Sequence, residues 1–224
     1  MKAVHAIFVH GVGEQDGSYA DAARRNLQGA LRARGSELYS STVLWAPVLD
    51  VHQRKMSAAV AKRGSSNRPS QRLVMGTLAD ALSYRHHADQ ISALMDDAYM
   101  RLRADEVVIF AHSLGGLLTV DWLRSRTRAR VAQFHTFGCN LELFYQGAED
   151  KFDCPAQLRP SAKWTNYFDE DDMLGWPLRG WLPQVDDIEV SVGGLLSGWW
   201  GLSHTAYWDD SALWCRTIPA ALGY

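Results

Sequence analysis

The feature that most constrains the fold is a short apolar run that ends in a turn of small residues. Residues 107–111 read Val-Val-Ile-Phe-Ala, which is typical of a central strand buried on both faces. The turn His112-Ser113-Leu114-Gly115-Gly116 follows, and residues 115–128 have helical composition. A buried strand that enters a helix through such a turn predicts a βαβ unit of a parallel sheet.

The same alternation of strands and helices occurs on both sides of this segment. We predict an α/β fold with a mostly parallel central sheet flanked by helices, and a helical insertion around residues 50–103 that contains a loop at residues 64–70. The length favours one domain over residues 1–224. The predicted strands lie at residues 4–10, 42–46, 107–111, 131–137, 164–168 and 188–192. The predicted helices lie at residues 18–34, capped by Ser18, at 115–128 and after residue 205.

Composition argues against several other classes of protein. A net charge of −2 provides no general attraction for nucleic acid or for an anionic membrane. Cys139, Cys154 and Cys215 lack C-x-x-C spacing, so neither a disulfide framework nor a thiolate metal site is indicated. No signal-peptide pattern and no run of about 18 apolar residues occurs, so we expect a cytoplasmic protein without stable membrane insertion.

The turn after residues 107–111 places a hydroxyl group where a nucleophile is expected. Ser113 lies between a buried strand and a helix, which is the position of the nucleophile elbow in the pattern G-x-S-x-G. Gly115 matches that pattern, whereas Ala111 replaces its first glycine. A serine can also simply cap a helix, which is the alternative for Ser113. We predict that Ser113 is a nucleophile.

The segment His10-Gly11-Val12-Gly13 follows the first predicted strand and can supply part of an oxyanion hole. Acyl transfer requires two N–H donors that point at the developing oxyanion. The elbow geometry assigns one donor to the amide of Leu114, and we expect the other to be the amide of Val12. His10 is expected to position this loop.

A serine nucleophile needs a histidine as base and a carboxylate that orients the histidine. In proteins with this elbow the chain order is Ser, acid, His, which leaves His135 and His204 as candidates. His135 lies inside a predicted strand and is expected to be a buried structural residue. His204 lies in a turn after the last predicted strand, and it is the predicted base.

The acid is expected directly after the predicted strand at residues 164–168. Four adjacent carboxylates, Asp169-Glu170-Asp171-Asp172, occur there, and like charges this close repel one another. We therefore expect one of them to turn inward while the others remain solvated. Asp172 is preferred because it adjoins the apolar segment 173–178, with Asp169 second and Asp171 third.

Together these motifs resemble those of the bacterial α/β-hydrolase-fold serine esterase and lipase family. They are A-H-S-L-G-G, H-G-V-G, N-Y-F-D-E-D-D-M-L-G and S-H-T-A-Y-W, and they span nearly the whole chain. The resemblance implies the α/β-hydrolase fold. It also implies that the last Asp of the N-x-x-D-x-x-D loop, Asp172, is the acid, and that His204, which precedes T-A-Y-W, is the base.

The expected activity is hydrolysis of small-molecule carboxylic esters with short or medium acyl chains, without a metal or organic cofactor. A triacylglycerol lipase or a thioesterase would use the same triad, and a non-catalytic binding protein of this fold is an alternative of another class. His86 and His87 do not indicate a metal site, because adjacent helical residues point apart. Several tryptophans occur near the acid and base loops, and we expect them either to line an apolar pocket or to fill the core. They are Trp176, Trp181, Trp199, Trp200 and Trp208.

Overall fold

The computed structural model of the chain describes residues 2–11, 15–49, 69–125, 129–139, 141–146, 158–193 and 203–224. The strands are β1 (Lys2–Val9), β2 (Ser36–Val43), β3 (Val107–His112), β4 (Val131–Phe137), β5 (Leu158–Phe168) and β6 (Val185–Glu189). The main helices are α1 (Asp21–Arg32), α2 (Pro69–Leu102), α3 (Leu114–Ser125), α4 (Leu141–Gln146), α5 (Ser203–Ala206) and α6 (Ile218–Ala221). A π-helical turn at Leu213–Thr217 directly precedes α6.

The six strands form one sheet in the order β2-β1-β3-β4-β5-β6. Every neighbouring pair is parallel, which confirms the predicted sheet. Val9 lies beside Ala111, and Phe137 lies beside both His112 and Tyr167. The carboxyl ends of β1, β3, β4 and β5 therefore meet at one edge of the sheet, which is where ligands bind in open parallel sheets.

The sheet is buried on both faces by two separate apolar clusters. Ile7 and Val9 of β1 belong to the cluster that contains α2, α3 and α4. Ala6 and Phe8 of the same strand belong to the cluster that contains α1 and the C-terminal helices. Because successive strand side chains point to opposite faces, the continuous apolar run of a central strand fills both clusters.

The helical insertion contains one long helix, α2, of 34 residues. Its buried side chains Tyr84, Ile91, Met95 and Ala98 recur at helical spacing and pack on the sheet side of the helix. The part of the insertion at residues 50–68, which includes most of the loop predicted at 64–70, lies outside the described residues, and Pro69 and Ser70 belong to α2. In the described part of the chain, no helix combines the length and apolar character needed to span a bilayer.

The bounds of three strands differ most from the prediction. β5 begins at Leu158 instead of residue 164, and the two edge strands are also displaced. β2 occupies Ser36–Val43 instead of 42–46, because it pairs along the whole of β1 and its mostly polar residues form no apolar run. The amides of Trp45 and Ala46 turn away and donate to His10 Nε2. Similarly, β6 occupies Val185–Glu189 instead of 188–192, since the Val192 amide donates to Asp169.

Two predictions about helices were also wrong. α1 begins at Asp21 and no side chain caps it, because the Ser18 hydroxyl donates to Asp16 instead. The short helix α4 lies between the strands predicted at residues 131–137 and 164–168, where no helix was predicted.

Candidate active site

Ser113 lies in a strained turn between β3 and α3. Its φ is +51°, a left-handed conformation that residues other than glycine rarely adopt. The Ser113 amide donates to the Phe137 carbonyl at 2.9 Å, and the Gly116 amide donates to the Ser113 carbonyl at 2.9 Å. These bonds fix the strained residue to β4 on one side and to α3 on the other.

Small residues around Ser113 are required by close backbone packing. A Cβ atom on Gly115 would overlap the His10 carbonyl oxygen and lie 2.8 Å from the Val9 carbonyl oxygen. A Cβ atom on Gly11 would lie 2.7 Å from the Ser113 Cβ. The ends of β1 and β3 therefore approach each other so closely that the elbow accepts no side chain at these positions.

His204 forms hydrogen bonds to both Ser113 and Asp172. The distance from His204 Nε2 to Ser113 Oγ is 2.9 Å. On the other side of the ring, His204 Nδ1 lies 2.9 Å from Asp172 Oδ1 and 3.0 Å from Asp172 Oδ2. Since a carboxylate only accepts, Nδ1 carries the proton, and Nε2 is free to accept the Ser113 hydroxyl proton. All three side chains are at least 97% buried.

The Asp172 carboxylate receives further hydrogen bonds from its surroundings. The Leu174 amide donates to Oδ1 at 2.9 Å, and the Tyr207 hydroxyl donates to Oδ2 at 3.1 Å. Burial alone raises the pKa of Asp172, but the hydrogen bond and charge of His204 and the Leu174 amide outweigh it, so the pKa lies below its ordinary value. Asp172 is therefore ionised near pH 7.

Two glycines make room for this carboxylate. A Cβ atom on Gly138, whose φ is +55°, would lie 2.7 Å from Asp172 Oδ2. A Cβ atom on Gly175 would overlap the same oxygen and lie 2.5 Å from the Gly138 Cα. The backbones after β4 and β5 thus enclose the acid without leaving space for a side chain.

The other two candidate acids have different surroundings. Asp169 is buried as well as Asp172, so the expectation that a single carboxylate turns inward was wrong. Its oxygens accept the amides of Asp171 at 2.8 Å and Val192 at 2.7 Å, which replace the lost solvation. Asp171 is exposed. Of the three alternatives, Asp172 is the carboxylate that contacts His204, whereas Asp169 orders the loop and joins it to the segment after β6.

His112 was not singled out by the sequence, although it directly precedes Ser113. Its Nε2–H donates to the main-chain carbonyl of His204 at 2.7 Å, and the two imidazole rings lie 4.8 Å apart. Burial, together with the charge of His204, lowers the pKa of His112 to about 3, so its ring is neutral near pH 7. His112, the last residue of β3, therefore fixes the backbone of His204, the candidate base.

His10 was expected to position the loop that follows β1, and in the described residues it contacts Gly11 of that loop. Its Nε2 accepts the amides of Trp45 at 3.1 Å and Ala46 at 3.3 Å, so its Nδ1–H donates to the Gly11 carbonyl at 2.7 Å. Trp45 also stacks on the imidazole and donates from its indole nitrogen to the His10 carbonyl. Val12, the expected second oxyanion donor, lies outside the described residues.

Leu114, the other expected oxyanion donor, is the first residue of α3. Amides in the first turn of a helix have no acceptor inside the helix, and the helix dipole makes this end favourable for negative charge. His135, the alternative base, is buried inside β4, where its ring nitrogens pair with the Tyr167 hydroxyl at 3.2 Å and Gln133 at 3.1 Å.

Asn166 is a further residue whose role is visible only in the structure. Its amide oxygen accepts the Thr136 hydroxyl at 2.9 Å, and its amide nitrogen donates to Asp187 Oδ1 at 2.8 Å and to the Trp176 carbonyl at 3.0 Å. These bonds join β4, β5 and β6 to the loop that carries Asp172. The first position of the N-x-x-D-x-x-D pattern thus supports the acid loop.

The tryptophans near the site divide into two groups. Trp208 is buried in the core, whereas Trp176 is 41% exposed beside the acid loop, with its indole N–H donating to the Met173 carbonyl at 3.3 Å. Met173 itself is 54% exposed. Trp199 and Trp200 lie outside the described residues.

A second concave region of the molecule lies far from this site. A cleft of about 750 Å³ lies at the opposite edge of the sheet, lined in part by Lys2, His5, Arg130 and Tyr224. It opens at the amino ends of the strands, away from Ser113. Across the residues that the structure describes, no three His, Cys, Asp or Glu side chains converge as a metal site requires.

Comparisons with known proteins reveal similarity of structure rather than of sequence. No protein-family model and no curated protein matches the chain. A thioesterase domain from the curacin biosynthetic pathway has a TM-score of 0.52 and 11% identity, over 96% of this chain and 91% of that chain. A protein described as a hydrolase of the alpha/beta superfamily, from Xanthomonas campestris pv. campestris, has a TM-score of 0.49 and 14% identity, over 97% and 99%.

At 11% identity the likeness to the thioesterase domain concerns the fold alone. The observed topology agrees with it, because six parallel strands are covered on both faces by helices and the strained serine turn follows a central strand. The chain has the α/β-hydrolase fold.

Proposed function

We propose that this chain is a serine hydrolase that cleaves small-molecule carboxylic esters with short or medium acyl chains, and that residues 1–224 act as one domain. The observation that carries the proposal is the continuous hydrogen-bonded series from Ser113 Oγ through His204 to Asp172, with distances of 2.9 Å at each step. A buried serine, histidine and carboxylate in this order can activate the serine hydroxyl at neutral pH.

In the first half of the reaction, Ser113 Oγ attacks the ester carbonyl carbon. His204 Nε2 takes the hydroxyl proton as the new C–O bond forms, and the carbonyl electrons move onto the oxygen. When the tetrahedral intermediate collapses, the bond to the alcohol breaks, and the imidazolium returns its proton to the departing alkoxide. The products of this half are an alcohol and an acyl group on Ser113.

In the second half, water replaces the alcohol. His204 Nε2 removes a proton from the water as its oxygen attacks the acyl carbon, and the same proton then passes to Ser113 Oγ as the acid leaves. Asp172 does not take up a proton; its carboxylate keeps Nδ1 protonated and stabilises the imidazolium in both halves.

The negative charge on the carbonyl oxygen requires donors at the elbow. We assign one to the Leu114 amide at the first turn of α3 and the other to the Val12 amide, which follows the segment held by His10. Each such donor contributes roughly 10²–10³ in rate in hydrolases that use an oxyanion hole.

The exposed apolar surface beside the acid supports an organic ester as substrate. Met173 and Trp176 lie on the loop that carries Asp172, and both are more than 40% exposed. Apolar side chains next to convergent polar groups are typical of small-molecule sites.

The decisive experiment measures hydrolysis of p-nitrophenyl esters together with labelling by a fluorophosphonate probe. We expect Ser113→Ala and His204→Ala to lower kcat by at least about 10³-fold, and Ser113→Ala to abolish labelling. Asp172→Asn should lower kcat more than Asp169→Asn, while Asp171→Asn, which changes an exposed carboxylate of the same loop, should leave it near the wild-type value.

Two results would contradict the proposal. Turnover at the wild-type level in a folded Ser113→Ala or His204→Ala protein would exclude the triad. A wild-type protein that neither hydrolyses esters nor reacts with the probe would instead favour a non-catalytic binding protein of this fold. A series of acyl chain lengths, with and without an emulsified interface, and a matching acyl thioester distinguish an esterase from a lipase or a thioesterase.

A further inference from the structure

Tyr207 is the second residue of the C-terminal segment that contacts the candidate acid. It follows α5 directly, three residues after His204, and residues at this spacing lie on the same side of a helical turn. Its hydroxyl donates to Asp172 Oδ2 at 3.1 Å and accepts the Asp169 amide at 3.0 Å. One phenol thus joins the first and last aspartates of the acidic loop.

The position of this hydroxyl is set by rigid packing. Tyr207 is fully buried, and its ring contacts those of Phe137 and His112 at centroid distances of 6.2 Å and 5.6 Å. Its main-chain carbonyl accepts the indole N–H of Trp214, from the π-helical turn, at 2.7 Å. The tyrosine is therefore held at its backbone, along its ring and at its hydroxyl.

The hydroxyl completes the hydrogen bonding of the Asp172 carboxylate. His204 and Leu174 donate to Oδ1, while Tyr207 donates to Oδ2, which also faces His204. Burial and the adjacent charge of Asp172 raise the pKa of Tyr207 far above its ordinary value, so the phenol remains protonated and always donates. A carboxylate that receives donors on both oxygens cannot rotate away from the imidazole without losing one of them.

We propose that Tyr207 is a positioning residue that acts on catalysis through Asp172, holding the carboxylate plane in register with His204 Nδ1. This inference rests on the proposed function. The tyrosine touches neither the substrate nor the reacting atoms, and its influence reaches Ser113 only by way of the acid and the base.

The first test compares two tyrosines that each lose only a hydroxyl. Tyr207→Phe should lower kcat about tenfold with little change in KM, because a hydrogen bond to a charged group is worth about that factor or more. Tyr167→Phe is the matched control: it is equally buried, but its hydroxyl pairs with His135 Nδ1 at 3.2 Å. It should keep the wild-type kcat.

The pH profile provides a readout that a purely structural role would not change. Without the phenol, the Asp172 carboxylate can turn out of register with Nδ1 and favours the protonated imidazole of His204 less strongly. The acid limb of kcat/KM should therefore move to lower pH in Tyr207→Phe and stay in place in Tyr167→Phe. Replacing Tyr207 by 3-fluorotyrosine keeps the side chain and its hydroxyl donor, and should leave both kcat and the acid limb near their wild-type values.

A double-mutant cycle tests whether the effect passes through the acid. In an Asp172→Asn background, Tyr207→Phe should change kcat by less than about twofold, since the charge it orients is already absent. If the two residues acted independently, the losses of kcat in the two single variants would multiply in the double variant.

Each result has a defined meaning. If the wild type and Ser113→Ala differ as proposed but Tyr207→Phe matches Tyr167→Phe in kcat and in pH profile, the positioning role is wrong and the hydrolase proposal stands. Multiplicative effects with Asp172→Asn, or a fluorotyrosine protein that loses as much kcat as Tyr207→Phe, would also overturn it. An inactive wild type that does not react with the fluorophosphonate overturns the proposed function itself.

Discussion

Replacing Gly115 by alanine should destabilise the protein, although the same change at another helical glycine should stabilise it. An alanine Cβ at position 115 would overlap the His10 carbonyl oxygen and lie 2.8 Å from the Val9 carbonyl oxygen. Both are backbone atoms at the end of a central strand, so neither can rotate away. Gly29, on the exposed side of α1, serves as the control, because an alanine Cβ there would have no heavy atom within 4 Å.

The expected magnitudes follow from these two environments. Overpacking costs about 1–3 kcal/mol, and the rigid contacts of Gly115 place it at the upper end of that range. Alanine recovers at most about 1 kcal/mol of helix propensity, so Gly115→Ala should lose about 2 kcal/mol, or roughly 4–8 °C in Tm. Gly29→Ala keeps the propensity gain alone and should raise Tm by about 2 °C.

Thermal unfolding followed by circular dichroism, with urea titrations at 25 °C, measures both variants against the wild type. Gly115→Ala should also react more slowly with a fluorophosphonate, because the backbone shift that relieves the overlap moves Ser113 relative to His204. A Gly115→Ala protein as stable as the wild type would refute the reasoning, since the end of β1 would then move aside without loss of stability. A Gly29→Ala protein less stable than the wild type would show that helix propensity does not determine the effect of this substitution in α1.

Two further predictions concern buried titratable groups. Burial lowers the pKa of His10 to about 4 and those of His112 and His135 to about 3, whereas all three bind protons near pH 6.5 in the unfolded chain. The free energy of unfolding should therefore fall as the pH drops below 6.5, by up to about 4 kcal/mol per pH unit. Urea titrations from pH 7 to 5 measure this free energy, and a constant value over that range would contradict the prediction. Burial raises the pKa of the Cys139 thiol to about 12, so iodoacetamide should alkylate this thiol only after unfolding. Peptide mass spectrometry measures the alkylation, and rapid alkylation of the folded protein would be inconsistent with the burial.

The central strands were predictable because their signal is local and strong. A strand buried on both faces reads as a continuous apolar run, and β4 was predicted with its observed bounds, Val131–Phe137. The edge strands were less predictable, since β2 pairs through polar residues such as Ser40 and Ser41 that give no apolar run. Their bounds depend on the length of the neighbouring strand, which is not local information.

The candidate site divides in the same way. The motif order and the resemblance selected Ser113 and His204, and burial arguments preferred Asp172 among adjacent carboxylates. The supporting contacts of His112 and Tyr207 had no sequence signal beyond the positions of these residues within the motifs. Their partners are a main-chain carbonyl and a carboxylate oxygen, respectively, which a pattern of residue types does not reveal.

The sequence by itself determined the local units: apolar runs that form buried strands, a small-residue turn that admits the strained serine, and the chain order of the candidate nucleophile, acid and base. Only the tertiary structure decided how these units meet. Ser113 and His204 are 91 residues apart and Asp172 and His204 are 32 apart, yet they are joined by bonds of 2.9 Å. Local propensity acts over a few residues, whereas such contacts exist only after the sheet has brought its strand ends to one edge.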